Sequence, residues 1–165
     1  MSKEVEKLIL ISFSHEEIFN HMISLDRPVM ETELLRKFTD IKYLPGKNSK
    51  LFELHFSLFH ALYEIKHKYA GEGYYFHPDC MRLRIIQIPN DFYCHHYFTE
   101  SGKFCSKKVV TNGFCMDHFD ISYTYNNPIL DPLDCFYRNP ENIEFGNEAI
   151  LGKLMNGVFT YAFRK

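Results

Sequence analysis

The chain has 165 residues, of which 45% are hydrophobic and 24% are charged, with a formal net charge of −2 at pH 7. This composition is typical of a single globular domain with a sizeable core, and it excludes a disordered or strongly basic chain. No apolar run approaches the ~20 residues that a membrane-spanning helix needs. Sixteen Phe and eleven Tyr, without any Trp, favour an aromatic-rich core.

The first residues indicate the compartment, and the compartment decides how the cysteines are interpreted. The opening MSKEVEKLILISF mixes charges with a short apolar run and has no small-residue cleavage site, so it does not resemble a signal peptide. We therefore expect a soluble, cytoplasmic protein. In that compartment five cysteines, an odd number, indicate metal ligands or free thiols rather than a disulfide framework.

Two short helices are predicted first. Ser14 and Glu17 form a capping box, in which a hydroxyl and a carboxylate satisfy backbone donors reciprocally. Apolar residues at helical spacing then place a helix at about 15–25, and the proline that follows ends it. A second helix is expected over 31–39.

The third predicted helix, at about 50–70, is the longest, and Ser49 is expected to cap it. Apolar residues cover most of its circumference, which is typical of a central core helix. One narrow polar stripe remains, formed by Glu53, Ser57, His60 and Glu64. His55 and His60 lie five positions apart and do not share a face, so we expect ordinary side chains there rather than metal ligands.

A β-hairpin is predicted after the third helix. Its strands are expected at 73–76 and 82–88, with residues 77–80 forming the turn between them. Three helices followed by a hairpin predict an α+β, winged-helix-like domain over residues 1–91.

The last part of the chain, 120–165, is expected to pack back on the first part. Residues 120–130 are predicted to form a loop or an edge strand. A short helix is expected at 131–137, with Pro132 suited to its first turn. A final amphipathic helix is predicted at about 147–160.

Residues 92–119 predict an inserted zinc knuckle. Zinc prefers four sulfur or nitrogen donors at tetrahedral corners. Four candidate donors occur at suitable spacing: Cys94, Cys105, Cys115 and His118. Gly102 and Gly113 can adopt positive φ and bend the backbone around an ion. We therefore expect one structural Zn²⁺, with His95 or His96 as a reserve ligand if Cys94 is out of register.

Nothing in the sequence indicates an enzyme. Four protein ligands would leave zinc no open position for water, so a catalytic zinc is not expected. Cys80 and Cys135 lie outside the cluster, in no Cys/His setting that would activate a thiol, and we expect inert packing for both. No Gly-rich phosphate loop and no Ser/His/Asp constellation is visible. The chain is therefore expected to be non-catalytic.

Two stretches resemble the DnaJ-related N-terminal domain of bacterial proteins: LFELHFSLFHALYEIKHKY (51–69) and DPLDCFYRNPENI (131–143). The resemblance implies a helical start, a long Leu/Phe/His-rich helix, a short hairpin and then the Asp-Pro-Leu segment, over roughly 15–160 apart from the zinc segment. Family members commonly carry a J-domain, which recruits an ATP-driven chaperone. The printed sequence stops where such a domain would begin, so we expect the N-terminal domain without it. The resemblance brings no catalytic residues.

The segments GKFC (102–105) and GFCMDH (113–118) are similar to a zinc knuckle found in phage and bacterial proteins. Together with the DnaJ-related resemblance, this similarity implies a zinc-binding adaptor whose partner is a protein linked to chaperone co-factor systems. The alternative is a DNA- or RNA-binding protein that uses a basic-aromatic knuckle tip. That tip would consist of Lys103, Phe104, Lys107 and Lys108. Glu53 and Glu64 would repel phosphate, so the knuckle rather than the third helix is the expected contact.

Overall fold

A computed structural model of the chain describes residues 6–79, 82–90, 92–110, 113–119 and 132–147. The fold is mixed, with helices and small antiparallel sheets, as the predicted α+β class requires. In chain order the helices and strands are α1 (His15–Ser24), β1 (Val29–Met30), α2 (Glu31–Phe38), α3 (Asn48–Ala70), β2 (Tyr74–Asp79), β3 (Arg82–Gln87), β4 (Tyr97–Phe98), β5 (Lys103–Phe104) and α4 (Pro132–Arg138). The described residues also form 3₁₀ helices at Met116–His118 and Pro140–Gly146.

The helix starts agree with the sequence in one case and differ in another. The Glu17 backbone N–H donates to the Ser14 hydroxyl (3.4 Å), so Ser14 caps α1 as predicted. The predicted cap of α3 is wrong, because α3 begins at Asn48 and Ser49 lies inside its first turn. The Ser49 hydroxyl is buried and donates to the Glu6 carboxylate (3.3 Å), a distant partner that local sequence does not reveal.

Helix α3 lies at the centre of the core, and its polar stripe binds other parts of the chain. The backbone N–H of Ile9 donates to Glu53 Oε2 (2.8 Å), and that of Ile11 donates to the Ser57 hydroxyl (3.0 Å). Glu53 and Ser57 are both buried. An extended segment before α1 therefore lies along α3, and the stripe satisfies backbone donors that have no strand partner.

A three-stranded antiparallel sheet, in the order β1-β3-β2, packs against the helices. Strand β2 is longer than predicted, because His77, Pro78 and Asp79 pair along β3 instead of forming the turn. Pro78 is tolerated there because β2 is an edge strand. Residues 80 and 81, between the two strands, lie outside the described residues.

Helix α4, whose existence and position were predicted, is held on α3 by polar contacts. Asp134 is buried, and its carboxylate accepts hydrogen bonds from Lys66 (2.8 Å) and His67 (2.8 Å). Tyr137 Oη lies 2.7 Å from His55 Nε2, and His60 Nδ1 donates to the Tyr137 carbonyl (2.7 Å). His55 and His60 therefore hold α4 in place.

Burial, and after it the charge of Glu31, raises the pKa of Tyr137 to about 12. Its hydroxyl therefore stays protonated at neutral pH. The loop predicted at 120–130 and, beyond its first residue, the final helix predicted at 147–160 lie outside the described residues. Among the described helices, none combines the length and the apolar character that crossing a bilayer demands.

Candidate metal centre

A long β-hairpin carries the first two candidate ligands. Strands β4 and β5 pair Tyr97 with Phe104, and the isolated bridge between Tyr93 and Lys108 continues the same register. The hairpin therefore extends over residues 93–108. Backbone hydrogen bonds hold both ligand-bearing positions in this ladder, from Cys94 N to the Lys107 carbonyl (2.9 Å) and from Cys105 N to the His96 carbonyl (2.8 Å).

The two faces of this hairpin have different environments, because side chains alternate along a strand. Tyr97 and Phe104 share one face. Tyr97 packs against Tyr75 (ring centroids 5.9 Å apart) and His77 (4.9 Å), which belong to β2. The opposite face carries Cys94, His96 and Phe98 of the first half of the hairpin and the residues that pair with them, including Cys105. One face thus attaches the hairpin to the sheet and the other supplies ligands.

The other two candidate ligands come from a single turn after the hairpin. The Met116–His118 3₁₀ helix follows Cys115 directly, and the backbone N–H of His118 donates to the Cys115 carbonyl (2.9 Å). This turn is joined to the hairpin because Cys115 N donates to Cys94 Sγ (3.3 Å) and His95 N donates to the Gly113 carbonyl. Gly113 has φ +70°, and a Cβ at this position would overlap the His95 ring.

The structure brings together the four predicted ligands, and no other such group occurs in the part of the chain that it describes. One ligand atom from each of Cys94, Cys105, Cys115 and His118 lies within 4.8 Å of all the others. His118 Nδ1 is 3.2 Å from Cys115 Sγ and 3.5 Å from Cys94 Sγ. Tetrahedral zinc, with bonds of ~2.3 Å to sulfur and ~2.1 Å to nitrogen, places such atoms roughly 3.6 Å apart. The four residues could therefore hold one metal ion.

Burial and backbone donors shift the pKa of the thiols in opposite directions. Burial raises the pKa of the Cys94 thiol, and the backbone N–H groups of Cys115 and His96 partly offset that effect. For Cys115 burial also raises the pKa, but hydrogen bonds from the Asp117 N–H, the neighbouring thiols and the His118 N–H together lower it below its ordinary value. N–H donors directed at sulfur stabilise the thiolate form that a metal requires.

The two reserve ligands have other contacts. The His95 ring lies against Phe114 (5.9 Å), and its buried Nε2 has no hydrogen-bond partner in the described part of the chain. The His96 ring is stacked on the His118 ring, with centroids 4.0 Å apart and planes 27° apart. Burial and the charge of His118 lower the pKa of His96. Cys94 is in register, and neither histidine belongs to the ligand group.

The four residues predicted to form a contact tip lie in different environments. Phe104 is half-buried against Tyr97 (5.1 Å). Lys107 forms an ion pair with Asp117. Lys103 and Lys108 are exposed, and among the described residues neither has a carboxylate within ion-pair distance.

In the hairpin, the Phe98 ring is more exposed than the Phe104 ring. Phe98 pairs with Lys103 across the strands, and its ring packs against His118 with centroids 5.5 Å apart. Sequence reasoning missed Phe98, although its position two residues after His96 and four after Cys94 places all three on one strand face. Of the two cysteines outside the cluster, Cys135 is exposed on α4, and Cys80 lies outside the described residues.

Comparison with known proteins gives no match: no protein-family model, no curated protein sequence and no solved structure is similar to the chain at a significant level. The chemistry of the site therefore rests on its ligand atoms and their geometry.

Proposed function

We propose that the chain is a non-catalytic recognition module in which one structural zinc ion joins the hairpin to the turn that follows it. The observation that carries this proposal is the compact group of three buried thiols and one imidazole. Sulfur and imidazole nitrogen are the donors that zinc prefers in closed sites, and four protein ligands leave no position for a substrate. A metal that only fills such a site contributes to folding rather than to chemistry.

The small core around the site supports a structural role for the ion. Among the described residues this cluster contains only Cys94, Cys105, Val109, Phe114 and Cys115. So little apolar surface cannot fold a segment of this length alone, and metals commonly supply the missing free energy in such modules.

Metal analysis of the purified full-length chain tests this proposal. We expect about one zinc per chain, lost when Cys115 is changed to Ser and retained when the exposed Cys135 is changed to Ser. Cys135→Ser controls for the general effect of losing a thiol. A wild-type chain that folds fully without bound metal would refute the zinc proposal.

The topology supports a winged-helix-like domain as a further part of the proposal. The order α1-β1-α2-α3-β2-β3, with β1 pairing β3 beside α2, matches that arrangement. The motifs at 51–69 and 131–143 support a relationship to the DnaJ-related N-terminal domain. Because α3 is enclosed by the N-terminal segment and α4, it cannot enter a DNA groove as the third helix of many winged-helix proteins does. This arrangement favours protein docking, in keeping with a chaperone co-factor role.

Exposed apolar residues of the zinc module are the proposed contacts for a protein partner. Phe92 is 69%, Val110 99% and Met116 90% exposed. Backbone pairing places Phe92 opposite Val109, next to Val110. Three large and strongly exposed apolar side chains in one small module are the observation that supports a partner contact here.

Affinity capture with the full-length chain tests this contact surface. Proteins retained by wild type should be lost when Phe92, Val110 and Met116 are changed together to Ser, and also after chelation. Tyr43→Ser is the matched control, because Tyr43 is 86% exposed on the helical part of the chain. If the triple variant and wild type retain the same proteins, this surface is not the contact.

Nucleic-acid binding is the second candidate, and the exposed pair formed by Lys103 and Phe98 favours it. An aromatic ring beside an unpaired cation can stack on a base and contact a phosphate. Fluorescence anisotropy with single-stranded DNA and RNA oligonucleotides at low salt tests it. Lys103→Glu with Lys108→Glu should abolish salt-sensitive binding, whereas Lys42→Glu should not. If wild type does not bind at low salt, this candidate is excluded.

A further inference from the structure

We propose that the side chain of His96 is a positioning residue of the metal site. Its ring stacks on His118 and holds His118 Nδ1 towards the three sulfur atoms, without itself binding the ion. This inference rests on the proposed metal function. The observation behind it is the parallel contact between the two imidazoles, at 4.0 Å between centroids and 27° between planes.

His118 needs such support because its own position does not fix its ring. It is the last residue of a single 3₁₀ turn and is only half-buried. The second side-chain torsion of histidine is broad and roughly two-fold, so either ring nitrogen can face the sulfur atoms. A ligand imidazole has to present its lone pair in the ring plane, and neighbouring groups usually set that orientation.

Two rings close off the space in which the His118 ring could turn. His96 covers one face, and the Phe98 ring packs against His118 with centroids 5.5 Å apart and an interplanar angle of 73°. Phe98 also packs against His96 (4.7 Å, 89°), so the three rings form one contiguous group. In this arrangement His118 Nδ1 lies 3.2 Å from Cys115 Sγ.

The same geometry excludes His96 as a ligand of the same ion. The lone pair of an imidazole nitrogen lies in the ring plane, so a metal bound to His118 lies in the His118 plane. The His96 plane is nearly parallel and displaced by the 4.0 Å stacking distance, so its lone pairs cannot converge on that ion. The His96 backbone carbonyl accepts from Cys105 N (2.8 Å), which fixes the residue in the hairpin between the two cysteines.

Two substitutions at one position separate stacking from ligation. His96→Phe keeps a flat ring that cannot bind metal, and His96→Ala removes the ring. In the full-length chain we measure Zn²⁺ affinity by competition with a chromophoric chelator, and the ligand field by Co²⁺ absorption. His96→Ala should weaken Zn²⁺ binding by about 10-fold, the lower end of the effect of losing a group that orients a ligand. His96→Phe should stay within about threefold of wild type, and its Co²⁺ spectrum should keep the three-sulfur, one-nitrogen form.

Tyr43→Ala is the control for losing an exposed ring, because Tyr43 is 86% exposed on the helical part of the chain, and it should leave the Zn²⁺ affinity unchanged. If His96→Ala binds Zn²⁺ as tightly as wild type, the inference is overturned. It is also overturned if His96→Phe loses as much affinity as His96→Ala and its Co²⁺ bands change, because His96 would then act as a ligand. A wild-type chain that binds neither ion would instead refute the proposed zinc function.

Discussion

The helical core and the zinc module are stabilised in different ways. The core around α3 buries large apolar side chains from three helices and three strands, including Ile18, Leu58 and Leu83. The module buries a cluster in which three of the five residues are cysteines. The first region can fold through apolar burial alone, whereas under the proposed function the second needs an ion. Their contact through Tyr75, His77 and Tyr97 joins two regions that should respond to different perturbations.

Metal removal should have the largest effect, and only on the module. Structural zinc supplies on the order of 10 kcal/mol of folding free energy in small zinc modules. After chelation the amides of Cys94 and Cys105 should exchange with solvent rapidly, while those in the middle of α3 stay protected. Hydrogen exchange followed by mass spectrometry measures both regions at once. If the hairpin amides were equally protected with and without metal, the module would not depend on the ion any more than the helical core does.

A cavity in the helical core should destabilise the core and leave the zinc module unaffected. Leu62 is fully buried on α3, so Leu62→Ala should lower the free energy of unfolding by about 2–5 kcal/mol. Leu51, on the same helix, is 37% exposed, and Leu51→Ala should cost about 1 kcal/mol or less. Urea denaturation followed by far-UV circular dichroism measures both variants. Because Leu62 is not part of the module cluster, the Zn²⁺ affinity of the folded variant should equal that of wild type.

The sequence predicted most of the helical region because its signals are local. Helical periodicity gave α1, α2 and α3, and the Asp-Pro-Leu segment gave α4. Strand β1 was missed because two residues, Val29 and Met30, carry no periodicity. The roles of Glu53 and Ser57 were missed because their partners are backbone N–H groups more than forty positions away.

In the module, the spacing of Cys and His identified the four residues that the structure brings together, since metal donors are few and chemically distinct. The arrangement around them was not predictable in the same way. Phe104 was expected at an exposed tip, but the register of the hairpin turns it towards β2. The stacking of His96 on His118 arises from the path of the chain between them, which no local pattern encodes.

Gly113→Ala should weaken the module without affecting the core. Gly113 has φ +70°, and an added Cβ would overlap the His95 ring. The left-handed conformation alone costs roughly 1–2 kcal/mol for an L residue, so Zn²⁺ affinity should fall by about 10-fold or more. Gly46→Ala is the matched control, because a Cβ at Gly46 meets nothing within 4 Å. Chelator competition compares the two variants, and equal affinities would show that the Gly113 turn is not strained by a side chain.

The smallest expected effect is a pH-dependent change in the stability of the helical core. Burial raises the pKa of Asp134, whereas hydrogen bonds from Lys66 and His67 and the charges of these residues lower it. The lowering is larger than the effect of burial, so the pKa lies below its ordinary value of 3.8. A carboxyl with a lowered pKa in the folded state contributes stability that is fully present above its ordinary pKa. That contribution is lost as the pH falls through the folded-state pKa. Asp134→Asn should therefore be less stable than wild type at pH 7, by about 1–2 kcal/mol, and the difference should shrink below pH ~4.

Acid also protonates thiolates, so the Asp134 comparison is made on the chelated chain, where only the helical core is expected to remain folded. Urea midpoints of wild type and Asp134→Asn between pH 3 and pH 7 then compare two chains that differ by one carboxyl. A stability difference that stays constant over this range would mean that the amide has lost packing or hydrogen bonds rather than charge. A difference that disappears in acid would show that α4 is held on α3 by the ionised form of Asp134. The stability of the helical core would then depend on pH through a buried ion pair, whereas the stability of the module would depend on pH through its metal ligands.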